Sequence, residues 1–96
     1  MSEADGSTSV VRTVRICNPR GLHARAAAKF VKCAGSFSAD VTVAREGTSV
    51  SGLSIMGLMM LAAANGSEIE IRATGGDAAA AAAALCKLVE AGFDET

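Results

Sequence analysis

Tryptophan and tyrosine are absent from this 96-residue chain, proline and histidine each occur once, and three phenylalanines are the only aromatics. So few aromatic faces offer no platform on which successive bases of a single strand could stack. Neither sign of charge dominates, with 9 Lys and Arg against 10 Asp and Glu and a formal net charge of −1. The broad basic footprint of a nucleic-acid binder is therefore missing. The longest strongly apolar run, Leu58 to Ala64, is far shorter than the roughly 20 residues of a membrane helix. No basic segment with an apolar stretch behind it follows Met1, so a secretory signal is not read. These absences set the expectation of a cytoplasmic protein that neither inserts into membranes nor binds nucleic acid.

Paired cysteines are lacking too. Cys17, Cys33 and Cys86 are odd in number and form no C-x-x-C. Together with His23 they number four candidate zinc ligands, but zinc sites usually draw on paired ligands. They are read instead as thiols behaving as small hydrophobes, and no metal is expected. No G-x-x-x-x-G-K-[ST] run is present, so nothing suggests a P-loop, and no cofactor is expected.

What the chain does have is alanine, 20 residues of it within a half that counts as hydrophobic. One small domain with a thin core is the natural consequence of this length. Residues 1–9 are small, polar and acidic and read as a disordered leader, residues 10–93 as the domain, and 94–96 as a tail. Val14 and Ile16 share a face against Thr13 and Arg15, a strand pattern over Val10 to Ile16. Asn18-Pro19-Arg20-Gly21 breaks it. From His23 to Ala34, the apolar stripe Ala26, Ala27, Phe30, Val31 and Ala34 marks a helix with Arg25, Lys29 and Lys32 mainly opposite, stopped by Gly35.

A strand from Asp40, a Glu46-Gly47 turn and a partner strand over Thr48 to Ser51 form a hairpin. Gly52 to Ala64 reads as helical, with Leu58 and Leu61 inward, and Asn65-Gly66 as a turn. Glu68, Glu70 and Arg72 alternate with Ile69 and Ile71 in a strand over Ser67 to Thr74. Asp77 is placed to cap a last helix, built on seven consecutive alanines and ending near Gly92. The order β-α-β-β-α-β-α predicts an α+β fold, with helices on one face of a mostly antiparallel sheet.

His23 stands directly after the Pro/Gly loop, at the start of a helix. The first helical turn offers free N–H groups and the positive end of the macrodipole, which together favour an anion. Arg25 adds a guanidinium that can fork onto phosphate oxygens. An imidazole is partly neutral at cellular pH and can act as a nucleophile, so the combination suits transient phosphorylation of the ring. A lone histidine at this position can equally cap the helix or face solvent. No acid–base partner lies nearby in the sequence to support a hydrolase triad.

The run Gly21-Leu22-His23-Ala24-Arg25-Ala26-Ala27-Ala28-Lys29-Phe30 closely resembles the phosphorylation-site motif of the HPr family, the histidine-containing phosphocarriers of the bacterial phosphotransferase system. Ser54-Ile55-Met56-Gly57-Leu58 is similar to the regulatory-serine motif of the same family. The resemblance spans about Val10 to Val89. It implies an open-faced β-sandwich, with a four-stranded antiparallel sheet and three helices on one face. It implies that His23 is phosphorylated on Nδ1 by enzyme I, that Arg25 stabilises the phosphoryl group, and that EIIA-type proteins are the acceptors. Ser54 matches the serine modified by a dedicated HPr kinase/phosphorylase. Ala26 departs from the proline that many members carry, and Arg20 from an uncharged residue.

On this reading the chain is a carrier and a substrate of phosphotransferases, expected to be monomeric, and not itself an enzyme. Ile55, Met56 and Met59 are expected to form an exposed docking patch with Arg20 and Ala24, since flexible methionines suit several partners. Between residues 12 and 45, seven basic side chains stand against Asp40 alone, a basic half suited to acidic partners. Two other readings stay open. One is a nitrogen-related paralogue that signals through its phosphorylation state without feeding sugar transport. The other is a non-catalytic α+β adaptor in which His23 and Arg25 bind an anion. An acyl carrier is disfavoured because Leu53, not Asp, precedes Ser54.

Overall fold

Alternation along the strands decides which face of the sheet is covered. In the computed structural model, which describes residues 8–95, Val41 and Val43 of β2 (Asp40–Arg45) and Ile69, Ile71 and Ala73 of β4 (Glu68–Thr74) all point inward and are buried. Val14 does the same from β1 (Ser9–Arg15). With β3 (Thr48–Ser51) the strands form one antiparallel sheet in the order β1-β4-β2-β3. The register aligns Ile71 between Arg12 and Val43, and Val43 beside Val50, so apolar side chains run across three strands in one row. The first strand includes Ser9, and the Thr8 carbonyl accepts from Gly75 N–H at 3.0 Å. Those two residues of the expected leader are thus structured, and residues 1–7 lie outside the described part.

Three helices cover that face, as the periodicity indicated. Helix α1 (Ala24–Ala34) buries Ala26, Ala27, Phe30 and Ala34, and α3 (Ala78–Glu90) buries Ala78, Ala81, Ala82, Leu85 and Val89. Both stripes follow the three- and four-residue spacing of one helical face. Alanine on that face lets the helices sit close, and the bulk of the core comes from Phe30, Phe93, Ile16, Leu58, Ile69, Ile71 and Leu85. Glu46 and Gly47 both have positive φ (50° and 86°), which is what a two-residue hairpin turn between twisted strands requires.

Two local expectations change. Helix α2 is one short element, Ile55–Met60, not a helix from Gly52 to Ala64. Ser54 Oγ starts it by accepting from Gly57 N–H at 2.9 Å. Bonds from Leu61 N–H to Leu58 O and from Ala62 N–H to Met59 O tighten its end, and Ala62 leaves with φ 53°. Asp77 sits ahead of α3 but makes no side-chain cap. Its Oδ2 accepts from Ser38 N–H at 2.7 Å while its own N–H donates to Ser38 O at 3.2 Å, so it joins the approach to β2 to the start of α3. The last helix ends at Glu90, and a 3₁₀ turn, Gly92–Asp94, follows.

The loop between β1 and α1 is pressed against the α2–β4 connection. Leu22 N–H donates to Ala63 O at 2.9 Å, and Gly21 has φ 64°. A Cβ on Gly21 would stand 2.4 Å from Ala63 O and 2.9 Å from Ala64 Cα, both backbone atoms. Gly21→Ala therefore meets a left-handed backbone and a clash together, and should lower stability by about 1–3 kcal/mol. Gly76→Ala, where nothing lies within 4 Å, should be nearly neutral. Denaturant midpoints of the two variants check this. Equal midpoints would contradict the packing described.

Candidate functional site

The chain enters α1 through His23, whose extended backbone (φ −75°, ψ 178°) makes it the N-cap. Its Nδ1 accepts from Arg25 N–H at 3.2 Å, so the capping reading and the anion-site reading of this histidine describe one geometry. The Nδ1 lone pair points into the free amides of the first helical turn, where the macrodipole is positive. Ala24 is the first helical residue and is exposed, as is Arg25. Ala26 is the third residue of α1 and is buried in the core, so the missing proline is replaced by a packed methyl group and not at the helix's first position.

On its other edge, His23 Nε2–H donates to Glu95 Oε2. Sequence reading missed this carboxylate and left it in the tail. A strap made of the last residues delivers it. Gly92, Phe93 and Asp94 have φ of 65°, 57° and 57°, a left-handed run that costs on the order of 1 kcal/mol or more at each non-glycine residue. Three contacts hold it. Phe93 is fully buried, Lys29 Nζ donates to Phe93 O at 2.6 Å, and Glu95 N–H donates to Gly92 O at 3.1 Å. Lys29, expected on the solvent side of α1, is thus half-buried and committed to the strap.

Around the ring, Arg20, Arg25, Lys29, Asp94 and Glu95 line a cavity of about 170 Å³ with His23. A second shallow cavity of about 310 Å³ joins His23 and Arg20 to Leu22, Met59 and Ala62 to Ala64. The structure thus brings Arg20, Arg25 and Met59 to His23. Ile55 and Met56 line neither cavity but are exposed on α2, as are Met59 and Met60 on the same helix and Leu53 just before it. Leu53 was not anticipated there. Ser54 is half-buried, its hydroxyl engaged as the α2 cap.

The basic half resolves into separate uses. Arg15 meets Glu68 at 3.4 Å, and Arg45 donates to Leu61 O at 3.1 Å at the end of α2, while Arg20, Arg25 and Lys29 stand beside His23. Asn18, 2 % exposed, shapes the loop by donating from Nδ2 to Gly21 O at 2.8 Å, while its Oδ1 has no partner among the described residues. The cysteines stand apart, with Cys17 donating to carbonyls at the end of α3, and among the described residues no three His, Cys, Asp or Glu side chains converge.

The hydrogen bond from His23 holds the Glu95 carboxyl below its ordinary value of 4.5, with Asn18 and the Arg20 charge adding to the effect against some opposition from burial. A carboxyl held low in the folded chain stabilises above its ordinary value, and that contribution disappears as pH falls through the lowered value. The strap should therefore stay docked at pH 5 and loosen only in more acidic solution. An NMR titration checks this through the Phe93 and Glu95 amide signals, which should move together below pH 4.5. Movement at the ordinary glutamate value would contradict it.

With this geometry in view, comparison with known proteins is specific. Residues 10–91 match the family described as PTS HPr component phosphorylation site. Phosphocarrier protein NPr of Shewanella violacea is 44% identical over 88 residues, covering 92% of this chain and 97% of that protein. Phosphocarrier protein HPr of Neisseria meningitidis is 46% identical over 84 residues, covering 88% and 94%. Among solved structures, HPr-C-His from Thermoanaerobacter tengcongensis superposes with a TM-score of 0.86 at 39% identity, covering 91% of this chain and 98% of that one. HPr from Bacillus anthracis gives 0.81 at 42% identity, covering 84% and 96%. The open four-stranded sheet with three helices on one face, and the match over nearly the whole domain, lead to one conclusion: the chain belongs to the HPr family of phosphocarrier proteins of the phosphotransferase system.

Proposed function

We propose that His23 accepts a phosphoryl group on Nδ1 from phospho-enzyme I and passes it to EIIA-type acceptors in the cytoplasm, the chain acting as a monomer. The observation that carries this reading is the Nδ1 lone pair directed at the start of α1, 3.2 Å from Arg25 N–H. In the transfer, the lone pair attacks phosphorus while the donor's bond to phosphorus breaks. The transferred oxygens then meet first-turn amides and the Arg25 guanidinium, which suit a dianion. The ring sits in a shallow site that a partner's donor or acceptor can enter in line. Membership in a phosphocarrier family supports this reading over the bare adaptor.

The exposed patch of Ile55, Met56 and Met59, beside Arg20 and Ala24, serves as the docking surface on this proposal. Ser54 is the regulatory site, modified by an HPr kinase/phosphorylase. A phosphate there adds about −1.5 to −2 charges next to that patch, and the start of a helix tolerates it. A second reading rests on the NPr relative: a nitrogen-related paralogue would carry the group on His23 and signal without feeding a sugar permease.

Incubation with phosphoenolpyruvate and enzyme I should place one acid-labile, base-stable phosphate on the wild-type chain and none on His23→Ala. Absence of label on the wild type would sink the carrier role, and label persisting in His23→Ala would move it to another residue. Ser54→Asp should slow labelling of His23 by enzyme I about tenfold or more, an effect of introduced charge. Equal rates would remove the regulatory role of Ser54.

A further inference from the structure

Among the described residues Glu95 is the one acidic side chain hydrogen-bonded to the histidine ring, and no pattern in the sequence points to it. We propose that Glu95 is a positioning residue for phosphoryl transfer: it fixes the proton on His23 Nε2, so that Nδ1 alone presents a lone pair, and it balances the charge that the ring acquires. This rests on the phosphocarrier reading of His23.

Three observations carry the inference. The ring is held at both nitrogens, with Nδ1 accepting from Arg25 N–H and Nε2–H donating to Glu95. An imidazole held this way has one tautomer, because an N–H at Nδ1 would oppose the Arg25 N–H and leave the carboxylate without a donor. Both side chains are mostly shielded, each with 19% of its surface exposed, which strengthens a charge-assisted bond. The strap that delivers Glu95 is built: a buried Phe93, a lysine on its carbonyl and a left-handed run over residues 92–94. Strain held by surrounding contacts at a reacting group is a mark of function.

The chemistry follows from electron counting. When Nδ1 forms its bond to phosphorus, the donor keeps the electron pair of the bond that breaks, and a ring still bearing its Nε2 proton becomes positively charged. A carboxylate already on that proton stabilises the cation, and the proton stays on Nε2 in that hydrogen bond while the phosphoryl group is carried. In the reverse transfer the ring returns to neutral with the same proton still in place. Asp94, next in the chain, also lines the cavity but has no bond to the ring, which makes it the natural control.

The test uses the full chain with Glu95→Ala, Glu95→Gln and Asp94→Asn. Ring-nitrogen NMR at alkaline pH should show one tautomer, protonated at Nε2, in the wild type and Asp94→Asn. It should show the same tautomer in Glu95→Gln, whose amide oxygen still accepts, and a mixture in Glu95→Ala. Phosphorylation by enzyme I should lose about tenfold in kcat in Glu95→Ala, comparable to the loss of a partner behind a metal-bound histidine, with KM for enzyme I unchanged. Glu95→Gln should fall between. A single unchanged tautomer in Glu95→Ala, or an equal or faster kcat, would overturn the proposal; a faster rate would mark Glu95 as a cover on the ring. A wild-type chain that takes no phosphate overturns the reading of His23 instead, and the ring signals still decide whether Glu95 sets the tautomer.

Discussion

The Ala63 carbonyl fixes the loop from which His23 projects. Leu22 donates to it, and Gly21 lies so close that a single methyl group would collide with it. That carbonyl is itself placed by the abrupt end of α2, where Ala62 turns left-handed and Arg45 reaches across from β2 to the Leu61 carbonyl. A small chain with a thin core cannot hold a functional loop by bulk. It uses backbone contact between two loops, and glycine is the residue that permits it.

From that contact the site is assembled with few parts. The helix start supplies N–H groups, His23 caps it with the nitrogen that would react, and Arg20, Arg25 and Lys29 surround the ring. Asp94 and Glu95 offset those cations in the free chain, which spares the protein an uncompensated positive cluster. The site is shallow, which on the proposed role lets a donor and then an acceptor reach the ring, with alignment of the reacting groups left to the partner proteins. The exposed apolar residues of α2 would serve the repeated, short-lived docking that such a role needs.

Local patterns made much of this legible. The strand of Ile69 and Ile71, the helix of Ala26, Ala27 and Phe30, and the positions of His23 and Arg25 depend on periods and neighbours that one sequence displays. Exposure of Ile55, Met56 and Met59 could be read because Leu58 and Leu61 already fill the inward positions. What escaped notice depends on distance in the chain. Asp77 has the form of a cap, but Ser38 competes for its carboxylate, and no pattern in the sequence records that competition. The reach of the α2 helix was overstated because an apolar run does not reveal a left-handed residue such as Ala62 inside it. Glu95 was least visible: it meets a ring 72 positions earlier, at the end of a turn whose residues show no periodicity at all.

On the proposed role, the lone pair of one ring nitrogen, aimed at the start of α1, receives the phosphoryl group. Phosphorus–nitrogen coupling in the NMR spectrum of the phosphorylated, nitrogen-15-labelled full chain tests it most directly. One-bond coupling should appear between phosphorus and Nδ1 of His23, with the proton retained on the Nε2 side of the ring. Coupling to Nε2, or phosphate on any other residue, would contradict it.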